Sequence, residues 1–133
     1  VEAMVTVGLI DDLASGFSRF TGDSPLVIYV ALISVSVVFS AFVDNIPYTA
    51  TMIPIVENLG KVMPVEPLWW SLALGACLGG NGSLIGASAN LIVAGFAERA
   101  GHRIHFLKFM AMAFPMMLLT ILIASAYVYL RFL

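Results

Sequence analysis

The sequence predicts an all-α membrane protein in which a re-entrant helical hairpin, a discontinuous transmembrane helix and a C-terminal transmembrane helix follow one another. Three observations carry this expectation: very few charges, two apolar runs whose lengths do not match whole membrane crossings, and turn-forming residues near the middle of each run. The 133 residues are 61% hydrophobic and 11% charged, with a mean hydropathy of +1.02. A soluble domain carries about 25% charged residues, so most of this surface is not suited to water. The net charge of −2, with only six Lys and Arg, supplies no basic patch for a nucleic acid. The single cysteine, Cys77, lies in an apolar run and can form no disulfide within the chain. The chain opens at Val1 without a basic leader, so no signal peptide is expected. Its few helices read as a piece of a longer protein.

The elements follow in order. Residues 1–25 are expected to hold a helix end and then an interfacial segment. Leu13, Phe17 and Phe20 recur there at helical spacing among Asp11, Asp12, Arg19 and Asp23. That pattern fits a short amphipathic helix at the membrane surface, with an ordinary polar loop as the alternative. Leu26–Val56 is about 31 residues with one charge, Asp44, where a crossing needs about 20 and two crossings about 40. At its centre stands Asp44-Asn45-Ile46-Pro47. Proline removes a backbone donor and disfavours helix in the preceding residue, and Asp and Asn favour caps and turns. A hairpin over 26–59 results, descending as Leu26–Val43 and returning as Tyr48–Leu59.

Leu68–Ala97 is uncharged over about 30 residues, and an unbroken helix of that length would be about 45 Å long against a core of about 30 Å. Gly79-Gly80-Asn81-Gly82-Ser83 favours an interruption, giving half-helices Leu68–Leu78 and Leu84–Ala97. A polar loop, Glu98–Lys108, precedes a last span over 109–130 with a kink expected at Pro115. Arg99, Arg103 and Lys108 put that loop in the cytoplasm by the positive-inside rule. The hairpin then enters from the outside, the C-terminus ends outside, and Trp69 and Trp70 fall in an outer interfacial belt.

Asp44 is the sharpest chemical feature, because an ionisable side chain within a membrane run is expensive and usually functional. At a hairpin tip it could bind sodium, carry a proton or hydrogen-bond a solute. The bland alternative is that it caps the returning half-helix. Asn45, Thr49 and Thr51 add oxygens suited to a hard cation, although a membrane threonine commonly bonds its own backbone. Gly80, Asn81, Gly82 and Ser83 free backbone amides and carbonyls for ions or solute. Against this stands helix packing, since Gly75-xxx-Gly79 and Gly82-xxx-Gly86 both fit the small-residue pattern. Asn90 is a large polar group in an apolar run and needs a partner. Asp44, Asn45 and Asn81 form a candidate sodium set. His102 and His105 lack a third ligand nearby and read as loop residues. They also lie too far from any bilayer serine for hydrolysis, so no enzyme and no cofactor is expected, only a coupling ion, Na+ or H+.

The stretches Ser40-Ala-Phe-Val-Asp-Asn-Ile-Pro-Tyr-Thr-Ala-Thr-Met-Ile-Pro54 and Gly79-Gly-Asn-Gly-Ser-Leu-Ile-Gly-Ala-Ser-Ala-Asn90 resemble the ion transporter superfamily. The nearest branch is that of arsenite pumps, melanosomal P protein and sodium/proton antiporters, with citrate-type carriers as relatives. The resemblance covers nearly the whole chain and implies two inverted repeats, each giving a hairpin and a broken helix to one central site. This chain would then be the C-terminal repeat, with the N-terminal half of the same transporter as its partner, membrane lipid around it and a homodimer as the assembly. An ion-coupled secondary transporter moving an anion or small solute by alternating access is implied, in the plasma (inner) membrane. A sodium/proton antiporter is the alternative, and a channel-like or structural subunit a further one. Dicarboxylate carriers of the superfamily have a Ser-Asn-Thr tip; Asp44-Asn45-Ile46 departs from it, and the extra charge suits proton or sodium coupling or a neutral substrate.

Overall fold

The computed structural model describes Asp12, Ser15, Gly16, Arg19, Gly22 and residues 24–132. Most of the interfacial segment expected before residue 25 lies outside the described residues. Among these, all regular structure is helical: α1 (Pro25–Phe42), α2 (Asn45–Leu59), α3 (Val65–Gly79), a 3₁₀ turn (Gly80–Gly82), α4 (Ser88–Arg99) and α5 (Phe106–Phe132). Two of them, α1 and α5, are long and apolar enough to cross a membrane; α2 and α3 have 15 residues each and α4 has 12.

Pro25 opens α1 at its first turn, where its missing N–H has no partner to lose. The buried residues Ile28, Tyr29, Leu32, Ile33, Ser36, Val37, Ser40 and Ala41 form one stripe down the helix. That stripe packs on α3 through Leu68, Ser71, Leu72, Gly75, Ala76 and Gly79. The pairs fix the direction of the two helices. Tyr29 reaches the Pro64 carbonyl at 3.5 Å, Gly75 lies on Ile33 and Ser36, and Gly79 lies on Val37 and Ser40. Positions rise together, so α1 and α3 run parallel, and their C-terminal ends stand level.

Glycine makes this contact possible. A Cβ on Gly79 would fall 2.6 Å from the Val37 carbonyl oxygen, and one on Gly75 would fall 2.9 Å from that of Ile33. Both obstacles are backbone and cannot rotate away. The Ser40 hydroxyl donates to the Ala76 carbonyl at 2.6 Å across the same seam. The small-residue reading of Gly75-xxx-Gly79 therefore describes the packing of α3, with Ser36-xxx-Ser40 as its complement on α1.

The first interruption is shorter than the sequence suggested. The chain turns within Val43 and Asp44, and α2 already begins at Asn45 rather than Tyr48. Pro47 falls in the first turn of α2, where no i−4 carbonyl waits for its N–H. The second interruption is longer: helix resumes at Ser88, not Leu84, because Ser83 (φ −143°, ψ 166°) and Ala87 (φ −147°, ψ 135°) are both extended. The last helix starts at Phe106 rather than 109 and ends at Phe132, with Pro115 inside it. The loop before it contracts to residues 100–105.

Gly79→Ala in the full-length protein is expected to lower the detergent melting temperature clearly, because overpacking against fixed backbone costs about 1–3 kcal/mol. Thermal fluorescence size-exclusion is the readout. A melting temperature equal to that of wild type would mean that α1 and α3 are not in contact here.

Candidate functional site

Two backbone interruptions meet at the C-terminal end of α1. The first is the α1–α2 turn. The Val43 N–H still closes α1 on the Phe39 carbonyl at 2.8 Å, while Asp44 (φ −51°, ψ 138°) occupies the N-cap position of α2. Its carboxylate makes no capping bond, so the capping reading is met by the backbone of Asp44 and not by its side chain. The turn is braced from below by Tyr48. That ring stacks on Phe39 with centroids 6.1 Å apart, and its hydroxyl donates to Ser36 Oγ at 3.0 Å. Asp44, Asn45 and Thr49 are half-buried. Asn45 and Thr49 share with Ile46 and Ile53 a shallow recess of about 340 Å³. The Thr51 hydroxyl turns back onto the Pro47 carbonyl at 3.0 Å, the self-bonding expected of a membrane threonine.

The second interruption runs from Gly80 to Ala87 and packs on the end of α1. The Ser83 hydroxyl donates to the Ala41 carbonyl and accepts the Gly86 N–H at 3.1 Å. Ser83 is buried, and its one hydroxyl ties the broken helix both to α1 and to itself. Gly86 sits against the Gly80, Ser40 and Ala41 carbonyls; a Cβ there would lie 2.8, 2.9 and 3.0 Å from their oxygens. Gly82 faces Met117 of α5 and Ala41 of α1. Gly82 and Gly86 thus serve close packing of the loop itself, while Gly80 and Gly82 are buried.

Asn90 finds the partners its burial requires. Its Nδ2 donates to the Gly80 carbonyl at 3.1 Å and to the Ser83 carbonyl at 3.0 Å. Both acceptors are carbonyls, so the amide orientation is fixed by chemistry, with both N–H groups committed to spanning the break. Asn81 is exposed at the break. With Asn90, Thr120, Met116 and Met117 it lines a recess of about 330 Å³ beside α5.

Of the eight candidate residues, Asn45 and Thr49 fall in one recess, and Asn81 and Asn90 in another. Gly80, Gly82 and Ser83 form the backbone between the second recess and α1. Asp44 stands at the turn. The proposed sodium set of Asp44, Asn45 and Asn81 is not gathered into one cavity of this chain; the two parts meet through the Ser83 hydroxyl on the Ala41 carbonyl. Sequence reasoning missed Ser36, Ser40, Tyr48 and Thr120. The readable signal for the first two was their i, i+4 spacing, which matches that of Gly75 and Gly79. Ser71 is buried with no hydrogen-bond partner among the described residues. Among the described residues no three His, Cys, Asp or Glu side chains converge as a metal site.

The sequence profile of the citrate transporter family matches residues 1–75. The P protein of Sus scrofa is 47% identical over 102 residues, covering 74% of this chain and 12% of that protein. An uncharacterized transporter of Mycobacterium bovis is 40% identical over 136 residues, covering 99% of this chain and 32% of the relative. A 46 kDa membrane protein of Mycobacterium leprae is 39% identical over the whole chain and 32% of its own length. The chain therefore spans about a third or less of the curated relatives it matches. No solved structure matches it significantly.

Asn90→Asp should destabilise at least as much as Asn90→Leu, since the isosteric carboxylate has no N–H and would face two carbonyl oxygens. Each lost bond that leaves a buried partner unpaired costs about 1–3 kcal/mol. Melting of the purified full-length protein, together with faster hydrogen exchange in residues 80–90, would register the loss. An Asn90→Asp variant as stable as wild type would remove Asn90 as the brace.

Proposed function

The chain belongs to the citrate transporter family, and on that premise we propose that it forms the C-terminal repeat of an ion-coupled secondary transporter. The coarse part of the reading follows from membership: this is part of an integral membrane transport protein, not an enzyme. The finer part is that the two interruptions build one coupling-ion and solute site, which alternates its access across the membrane. The solute is an anion or a small inorganic or organic molecule, and the coupling ion is Na+ or H+.

The observation that carries the reading is that both interruptions stand level at the end of α1, tied by the Ser83 hydroxyl on the Ala41 carbonyl. A membrane helix leaves no backbone group unsatisfied without a reason. Here opened backbone is packed on opened backbone, and polar side chains flank it. Depth supports the reading as well. Gly82 meets α5 at Met117, near the middle of a 27-residue helix about 40 Å long. A break at that level lies near mid-bilayer, where a lipid-facing loop is not tolerated and a wet cleft is. In this arrangement α1 and α2 make a re-entrant hairpin, and α3 and α4 are two halves of one broken transmembrane helix. The missing N-terminal half would complete the cleft around α4, none of whose residues is buried in this chain. A dimer remains the assembly implied by the superfamily resemblance. Arg99, Arg103 and Lys108, in and beside the loop before α5, favour the cytoplasm for it, which leaves the C-terminus outside; the plasma (inner) membrane is the location that the superfamily resemblance implies.

A sodium/proton antiporter is the second reading, and Asp44 favours it. A half-buried carboxylate with no hydrogen bond or ion pair among the described residues is free to take either cation in turn.

Proteoliposomes holding the full-length protein separate these readings. Radiolabelled citrate and arsenite uptake would be driven by an imposed Na+ or H+ gradient, with Na+/H+ exchange followed by an internal pH dye. Asp44→Asn is expected to abolish gradient-driven movement while the protein remains folded and monodisperse. Full activity of Asp44→Asn would remove the coupling role. No movement of solute or ion under any gradient would remove the transporter reading.

A further inference from the structure

The loop between α4 and α5 builds a second feature that the transport site does not use. Gly101 (φ +84°) ends α4 in a reversed turn. The His102 N–H returns to the Ala97 carbonyl at 2.8 Å and the Gly101 N–H to that of Glu98 at 3.0 Å, the paired bonds of a Schellman cap. The left-handed turn needs glycine, and it throws the following residues across the start of α5. The His105 carbonyl then accepts from Phe109 at 2.9 Å, fixing the first turn of that helix.

The result is an open recess of about 380 Å³ along α5, with Arg103, His105 and Lys108 at the end near the start of the helix and Phe109 and the exposed Met112 and Met116 forming its apolar floor further along. From Lys108 to Met116 the floor runs roughly 12 Å down α5 at 1.5 Å per residue. Charge is confined to one end. Among the described residues Arg103 pairs with Glu98 alone, at 3.5 Å on an exposed surface, where such a pair is weak and easily exchanged. Lys108 and His105 make no ion pair among the described residues.

The geometry points to an anionic phospholipid as the occupant, its headgroup phosphate on Arg103 and Lys108 and the start of an acyl chain along Met112 and Met116. The division of chemistry decides the class of ligand. A small soluble anion would use the basic end alone and leave the aromatic, thioether and methyl surface bare, whereas a phospholipid covers both. A zwitterionic lipid would bring a cation to an end that is already basic. The cytoplasmic leaflet carries the anionic lipids that basic juxtamembrane segments attract, and assigning the groove to that leaflet rests on the orientation proposed above. Binding itself does not depend on that orientation.

The test uses the full-length protein, purified and delipidated in detergent, so that sidedness plays no part and a failure of the transport reading leaves the result unaffected. Phosphatidylglycerol, phosphatidylcholine and inorganic phosphate would be added separately, with native mass spectrometry and melting temperature as readouts. Phosphatidylglycerol is expected to be retained and to raise the melting temperature, and the other two are not. The double variant Arg103→Gln/Lys108→Gln changes one exposed loop residue and one exposed residue in the first turn of α5; it should keep its lipid-free melting temperature and bind phosphatidylglycerol roughly thirtyfold more weakly, as expected for two surface cations. Unchanged retention by that variant, including the case where the rest of the chain covers the groove, would overturn the proposal. Equal retention of both lipids, or an equal shift with inorganic phosphate, would overturn it too.

Discussion

The close parallel contact of α1 on α3 determines the rest of the arrangement. Two helices can approach this nearly only where one presents bare Cα atoms, and Gly75 and Gly79 do so against the backbone of Ile33 and Val37. In a lipid environment no hydrophobic force separates helix–helix from helix–lipid contact, so packing of small residues and interhelical hydrogen bonds must hold the pair. Both are present in one seam, in the glycines and in the Ser40 bond to Ala76. Because the helices run parallel from matched starting levels, their C-terminal ends are level too. The turn after α1 and the break after α3 then fall side by side as a geometric consequence.

Side-by-side placement solves a problem that each interruption would have alone. Opened backbone at membrane depth leaves donors and acceptors that lipid cannot satisfy. Ser83 and Asn90 take up part of this demand: the serine hydroxyl bridges the Ala41 carbonyl and the Gly86 N–H, and the asparagine amide bridges the Gly80 and Ser83 carbonyls. Among the described residues the polar side chains left without a hydrogen bond here are at the edges, in Asp44, Asn45, Thr49 and Asn81. Hydrogen bonds at the centre and free polar groups at the margins are the arrangement that the proposed ion site requires.

Much of this was legible in the sequence, and the reasons are specific. Run length and the positions of Asp44-Asn45 and Gly79–Ser83 were sufficient to expect both interruptions, because bilayer thickness is a fixed ruler. Their extents were not legible. Pro47 reads as a tip residue, yet a proline in a first helical turn is equally at home. The late start of α4 depends on Gly86 being pressed onto α1 and on Asn90 reaching back, and tertiary contacts of this kind leave no periodic trace. Asn90 was readable as a polar residue in need of a partner but not as a brace. The separation of Asn45 and Thr49 from Asn81 and Asn90 into two recesses was illegible for the same reason. Ser36 and Ser40 are not legible in the sequence, because serine in an apolar helix carries little signal until its glycine counterparts on α3 are set beside it.

α1 touches the segment after α3 at the level of Ala41 and Gly82, and the proposed shared site depends on that contact. A Cβ on Gly82 would lie 3.6 Å from the Ala41 Cβ, within the range that a disulfide spans, once the flexible end of Met117 moves aside. The most direct measurement places Ala41→Cys and Gly82→Cys together in the full-length protein, with Cys77 replaced by serine and a protease site in the loop between α2 and α3. After mild oxidation and cleavage, the two fragments should stay joined until a reductant is added. Fragments that separate without reductant, under an oxidant that does close a dithiol peptide in the same detergent, would contradict this contact.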